Sequence, residues 1–168
     1  MQPMRPEPPT AGDERAMLIG FLEYHRATLA SKCMGLTDAQ LRARAVEPSN
    51  LSLLGLVRHL AEVERGWFRA GLDHEDVADL WVSPDDPDAD FDRVDTADVA
   101  EAFAAWDEEY LRARAIVDAT DSLDTTFEHP RLGQVSLRWV LLHMVEEYSR
   151  HNGHADLLRE RLDGSTGE

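Results

Sequence analysis

The sequence predicts an all-α protein, a four-helix bundle whose second and third helices are joined by a long loop. Three observations carry this expectation. Four segments repeat apolar residues at spacings of three and four. Little of the chain alternates apolar and polar residues as a half-buried strand would. Between the second and third periodic segments lies an acidic stretch interrupted by Pro84 and Pro87, too long for an ordinary connection. Amphipathic helices must bury their apolar stripes against one another, and a bundle does this for four of them. A chain of 168 residues can build one such domain with a substantial core. That domain is expected over residues 12–162. A proline-rich, disordered lead-in (1–11) precedes it and a flexible tail (163–168) comes after it.

The first helix is expected from about Asp13 to Lys32, with Leu18, Leu22, His25 and Leu29 as its apolar stripe and Met17 and Phe21 in support. His25 on that stripe reads as a packed core histidine rather than a ligand. GLTDAQLRAR then gives a turn and a short helical turn, and Pro48 keeps helix from continuing beyond it. The second helix covers Ser52 to Ala70, with Ser49, Asn50 or Ser52 as its cap. Arg58, Glu62, Arg65 and Arg69 make its charged face, opposite Leu53, Leu56, Leu60, Val63 and Trp67. His59 lies at the border of the apolar arc. Glu64 falls between Leu53 and Val57, where a hydrophobe is expected.

The acidic stretch from Gly71 to Asp95 carries Trp81 and Phe91 and reads as a long loop covering one end of the bundle. Thr96 is the expected N-cap of the third helix, with Asp98 favoured by the helix dipole. That helix runs to about Ala119, its core stripe being Val99, Phe103, Trp106, Tyr110, Ala113 and Val117. Packing explains these aromatics better than cofactor binding does. TTFEHPRLGQVS has extended and turn character, punctuated by Pro130 and Gly133. The fourth helix begins near Ser136 and ends near Leu162.

Bulk composition excludes several function classes. Seventeen basic against 33 acidic side chains leave a net charge of −16, a field that repels phosphate backbones, so nucleic acid is not an expected partner. Cys33 is the only cysteine, which rules out an intramolecular disulfide or a CxxC metal site. No apolar run approaches the roughly 20 residues needed to cross a bilayer, and no signal-peptide pattern opens the chain. A cytoplasmic protein without membrane partners is expected.

The fourth helix carries the chemistry. At about 100° per residue, His143, Glu147, His151 and His154 lie on one side of the cylinder, with His151 pointing into the apolar arc of Val140, Met144 and Leu158. A carboxylate and an imidazole in such a setting are costly unless paired or bound to a metal. Glu147 and His151, four residues apart, present oxygen and nitrogen to one point, and His59 on the second helix is the best-placed third ligand. Such a set suits zinc or another divalent first-row ion, and three protein ligands leave a position open for catalysis. The same residues also fit a polar seam, with Glu147 paired to Arg150 or Arg58.

LLGLVRHLAEVERGWF (residues 53–68) and LRWVLLHMVEEYSRHNGHADLLRE (residues 137–160) resemble the DinB-like superfamily, and within it the actinobacterial branch of mycothiol-dependent S-transferases. The resemblance spans about Asp13 to Leu162. It implies a four-helix bundle holding a divalent metal on His59, Glu147 and His151. Glutamate stands where the commoner all-histidine version has histidine, which resembles the triad of the mycothiol-dependent maleylpyruvate isomerases. Zinc is the foremost candidate, with nickel, iron and manganese also tolerated. The resemblance further implies that mycothiol or a similar small thiol binds the open position as a thiolate and attacks a small-molecule electrophile. His154 is then a fourth nearby imidazole, either an extra metal ligand, a partner of the ligands or a substrate contact, and His143, one turn upstream, is expected to hydrogen-bond a ligand or the substrate. Glu64 is either a general base or the partner of an arginine from the first helix or the loop. Arg150 either receives a substrate carboxylate or pairs with Glu146 or Glu147 on the helix surface. Two other functions use the same residues: a hydrolase with metal-bound water as nucleophile, and a metal-binding or small-ligand-binding bundle without turnover. Homodimerisation is expected of such a bundle.

Overall fold

A computed structural model describes residues 5–166. Residues 1–4 of the expected lead-in and 167–168 of the expected tail lie outside the described residues. The chain is mostly helical with a small two-stranded sheet. α1 spans Glu14–Cys33 and is capped by Asp13, whose carboxylate accepts from Ala16 N at 2.9 Å. Just before it, Arg5 lies over the Tyr24 ring at 4.5 Å. Phe21, expected to support the apolar stripe, is exposed, and Arg26 takes a buried place in its stead. α2 (Asp38–Arg42) opens with a reciprocal capping box between Thr37 and Gln40.

α3 (Leu53–Glu64) is capped by Ser52. It continues beyond Glu64 as a π-helical stretch, Arg65–Leu72, so the expected helix changes winding partway along. The Phe127 ring packs against Gly71 there, so closely that an added Cβ would stand 2.9 Å from its Cζ.

The charged face of α3 is covered rather than solvated, because the acidic connection is stitched along it. Glu62 accepts from the backbone N–H groups of Leu80, Trp81 and Val82 at 3.0, 2.6 and 3.1 Å. Arg65 Nε donates to Ala78 O at 2.7 Å. The Arg58 guanidinium lies 4.5 Å over the Trp81 ring and donates to the carbonyls of Ala89 and Asp90, both at 3.0 Å. The connection thus has structure of its own, including α4 (Ala89–Asp92) and a 3₁₀ turn at Val94–Thr96.

That turn uses Thr96, so the expected cap moves two residues on. Asp98 caps α5 (Val99–Ala119), accepting from Glu101 N at 3.0 Å. The segment of extended character becomes a hairpin, an addition to the all-α expectation. β1 (Thr126–His129) pairs antiparallel with β2 (Gly133–Ser136), with Phe127 opposite Val135 on the buried face. Ser136 then caps α6 (Leu137–Asp163), which ends at Gly164 in the left-handed region (φ 78°).

α1 packs on α6, and α3 packs on α5 and α6. Leu29, Leu56, Leu60, Leu141, Met144 and Tyr148 fill the space between them and are fully buried. Such burial of apolar area drives the fold. No helix among the described residues is long and apolar enough to cross a membrane.

Candidate metal centre

Packing of α3 against α6 brings His59 to Glu147 and His151. Ligand atoms of the three all lie within 4.8 Å of one another. His151 Nε2 stands 3.4 Å from Glu147 Oε2, and His59 Nε2 stands 3.9 Å from the same oxygen. Two ligands held at 2.0–2.1 Å by one tetrahedral ion are about 3.3 Å apart, so the set needs only small side-chain adjustments to close on a metal. Two imidazole nitrogens and one carboxylate oxygen form a donor set suited to divalent first-row ions.

Each imidazole is held from behind. His59 Nδ1 is 2.8 Å from Asp90 Oδ2, and the Phe91 ring stacks on its face at 4.8 Å. His151 Nδ1 is 3.3 Å from His154 Nδ1, placing His154 on the side of the ring away from Glu147. Burial, then the neighbouring His59 and His154, lower the His151 pKa to about 3. The ring therefore stays neutral near pH 7, with a lone pair to offer.

Glu147 is ringed by imidazoles, since its other oxygen, Oε1, lies 3.6 Å from His143 Nε2. The His143 ring stacks on Trp139 (4.8 Å) and meets Trp67 edge-on (5.0 Å). His143, Glu146 and Glu147 also form a compact group with ligand atoms within 4.8 Å. All three come from one helix, however, and the exposed Glu146 pairs with Arg150. Arg150 is exposed and makes the helix-surface pair with Glu146 that the sequence allowed. Arg58, the other possible partner for Glu147, is engaged by the connection.

Glu64 stands apart in a buried network. Arg26 Nε donates to its Oε1 at 2.8 Å and Arg26 Nη2 to its Oε2 at 2.6 Å, while the Tyr148 hydroxyl donates to Oε1 at 2.8 Å. Trp106 Nε1 in turn donates to the Tyr148 hydroxyl at 2.7 Å. Glu64 and Tyr148 are fully buried and Arg26 is 5% exposed. Burial opposes the Arg26 charge, but the Glu64 carboxylate outweighs it and raises the guanidinium pKa. His25 is half-buried on the far side of α6, where Asn152 Nδ2 donates to its carbonyl at 3.0 Å; burial lowers its pKa.

Sequence reasoning did not single out Asp90 or Tyr148. Asp90 is one acid among many in an acidic stretch, and Tyr148 is one more apolar-face residue of α6. Only the fold shows which carboxylate reaches His59.

Residues 17–164 match the family model described as mycothiol-S-transferase. No curated protein matches the chain.

Proposed function

Since the chain belongs to the mycothiol-S-transferase family, part of the DinB-like superfamily, we propose that it is a metal-dependent S-transferase joining a small thiol, mycothiol or a relative, to an electrophilic small molecule. The observation that carries the metal half of this reading is the convergence of His59, Glu147 and His151 from two helices. These three would hold the ion, with zinc the first choice for two imidazoles and a carboxylate. A divalent cation bound there would lower the pKa of a coordinated thiol and present it as thiolate at neutral pH.

The chain's own residues do the rest. His151, neutral and buried, offers a lone pair without having to lose a proton first. His154 supports that ring from behind, which favours a hydrogen-bonding role over direct ligation. His143, held between Trp139 and the second oxygen of Glu147, is placed to contact a thiol or substrate arriving beside Glu147. Aromatic rings border the centre, Trp67 and Trp139 against His143 and Phe91 against His59. Cys33 is buried, and burial pushes its thiol up to about 12. That supports a nucleophile supplied by a small thiol rather than by the protein. The contacts of Glu64 favour its structural alternative over general base, and those of Arg150 favour surface pairing over substrate binding.

The same reading takes α1, α3 with its π-helical extension, α5 and α6 as a four-helix bundle, supported by the pairing of α1 with α6 and of α3 with α5. It also places the protein in the cytoplasm as a homodimer.

Metal analysis of the purified protein by mass spectrometry, for wild type and His59→Ala, tests the reading. Near-stoichiometric divalent metal that is lost in the variant is expected. The metal-loaded wild type should then consume an electrophile in a thiol-dependent reaction. No metal uptake from added zinc would reduce the cluster to a polar seam, and turnover without thiol would point instead to a hydrolase.

A further inference from the structure

We propose that Asp90 is a positioning residue of this centre, holding the His59 imidazole so that its Nε2 is bare and turned toward Glu147 and His151. The inference rests on the metal reading above and assigns a function to the acidic connection between α3 and α5. Asp90 is 3% exposed, although it lies in the most acidic part of the chain. Asp86, Asp92 and Asp95, from the same connection, are satisfied at the surface by Arg93, Asn50 and Arg44. Asp90 alone of these four turns inward, with Oδ2 2.8 Å from His59 Nδ1 and Oδ1 accepting from Phe91 N at 3.0 Å.

A carboxylate offers only acceptors, so His59 Nδ1 must carry the proton. In a neutral imidazole the lone pair then belongs to Nε2, the nitrogen facing Glu147. Ring rotation is blocked as well. Phe91 covers one face (4.8 Å, 29° between planes), and the His151 ring stands edge-on 4.8 Å away. The clamp is itself anchored, because buried Arg58 holds the carbonyls of Ala89 and Asp90 at 3.0 Å. A hydrogen-bonded carboxylate behind a ligating histidine fixes its tautomer and raises its basicity, and losing one typically costs 10–100-fold in metal affinity.

The test is zinc affinity, measured by competition with a chromophoric chelator on metal-free wild type, Asp90→Ala, Asp90→Asn and the surface control Asp92→Ala. Asp90→Ala should bind zinc about 10–100-fold more weakly. Asp90→Asn, which keeps an acceptor oxygen but not the charge, should lose less, and Asp92→Ala nothing. Wild-type affinity in Asp90→Ala, with wild type itself binding zinc, overturns the role of Asp90 and leaves the metal reading standing. Failure of the wild type to bind zinc overturns the metal reading first. Should Asp90→Ala not fold, ¹⁵N spectra of the metal-free wild-type imidazoles decide. A His59 ring protonated on Nδ1 supports the proposal, and one protonated on Nε2 refutes it.

Discussion

Replacing Glu64 with glutamine isolates the buried network of α1, α3, α5 and α6. The substitution keeps the shape, and one oxygen can still accept from Tyr148 and Arg26 Nε. The new amide nitrogen, however, faces Arg26 Nη2, donor against donor, where a 2.6 Å charge-assisted bond had been. The guanidinium, 5% exposed, is then left with one carboxylate partner, Glu23, at 2.6 Å. Breaking a buried pair typically costs about 3–5 kcal/mol, and the surviving bond to Glu23 argues for about 3. For a domain of this size 1 kcal/mol moves the melting temperature by roughly 2–4 °C, so E64Q should melt about 6–12 °C lower. Thermal unfolding followed by circular dichroism measures this, with zinc content determined in parallel and expected to be unchanged. Replacing both partners, as in R26M/E64L, should recover most of the loss, because well-packed apolar pairs substitute for buried ion pairs. An E64Q protein that melts with the wild type would refute the stabilising role. Unchanged melting and zinc content with abolished turnover would make Glu64 a participant in the chemistry.

His151→Ala should lose bound zinc, whereas His25→Ala should keep it, since His25 contacts Asn152 and not the centre; equal zinc in the two variants would remove the site assignment. Cys33, with its thiol pushed up to about 12 by burial, should resist iodoacetamide at pH 8 in the native protein and react once urea unfolds it. Native alkylation at the rate of a free thiol would show that the helix end opens readily. Glu62→Ala removes the acceptor shared by three successive backbone N–H groups, so hydrogen exchange should rise at Leu80, Trp81 and Val82 while the amides of α6 hold. Unchanged exchange at those three would mean that other contacts secure the connection.

How much of this was legible in the sequence depended on whether a signal was local. Helix starts were: Asp13, Ser52 and Ser136 are small polar residues directly before periodic runs, and all three cap. Thr96 and Asp98 are equally competent caps, and only the 3₁₀ turn ending at Thr96 decides between them. The change to π winding after Glu64 has no compositional mark. Strands of four residues, joined by a turn that begins at Pro130, are too short for alternation to stand out. For the centre, spacing put Glu147 and His151 on one face of a helix and set His59 at the border of another. His154, behind His151, was legible as a neighbour of the ligands from its spacing, but Asp90 behind His59 was not. Periodicity separates apolar from polar faces, but it does not distinguish a face covered by a polar connection from one covered by water. Arg58 and Glu62 of α3, with Arg65 just beyond it, show this directly. For Glu64 the first helix was legible as a source of its arginine partner, but not that Arg26 is the one, because an arginine buried on α1 looks in sequence like any surface arginine.

The clamp on His59 also has a consequence in chain distance. Asp90 and His59 are 31 residues apart, whereas the Tyr148–Glu64 contact that ties α6 to α3 spans 84. Closing the longer loop costs about 0.9 kcal/mol more in chain entropy. By loop entropy alone the His59–Asp90 contact is therefore the less costly of the two to close, and the imidazole of α3 is held by the connection that follows its own helix.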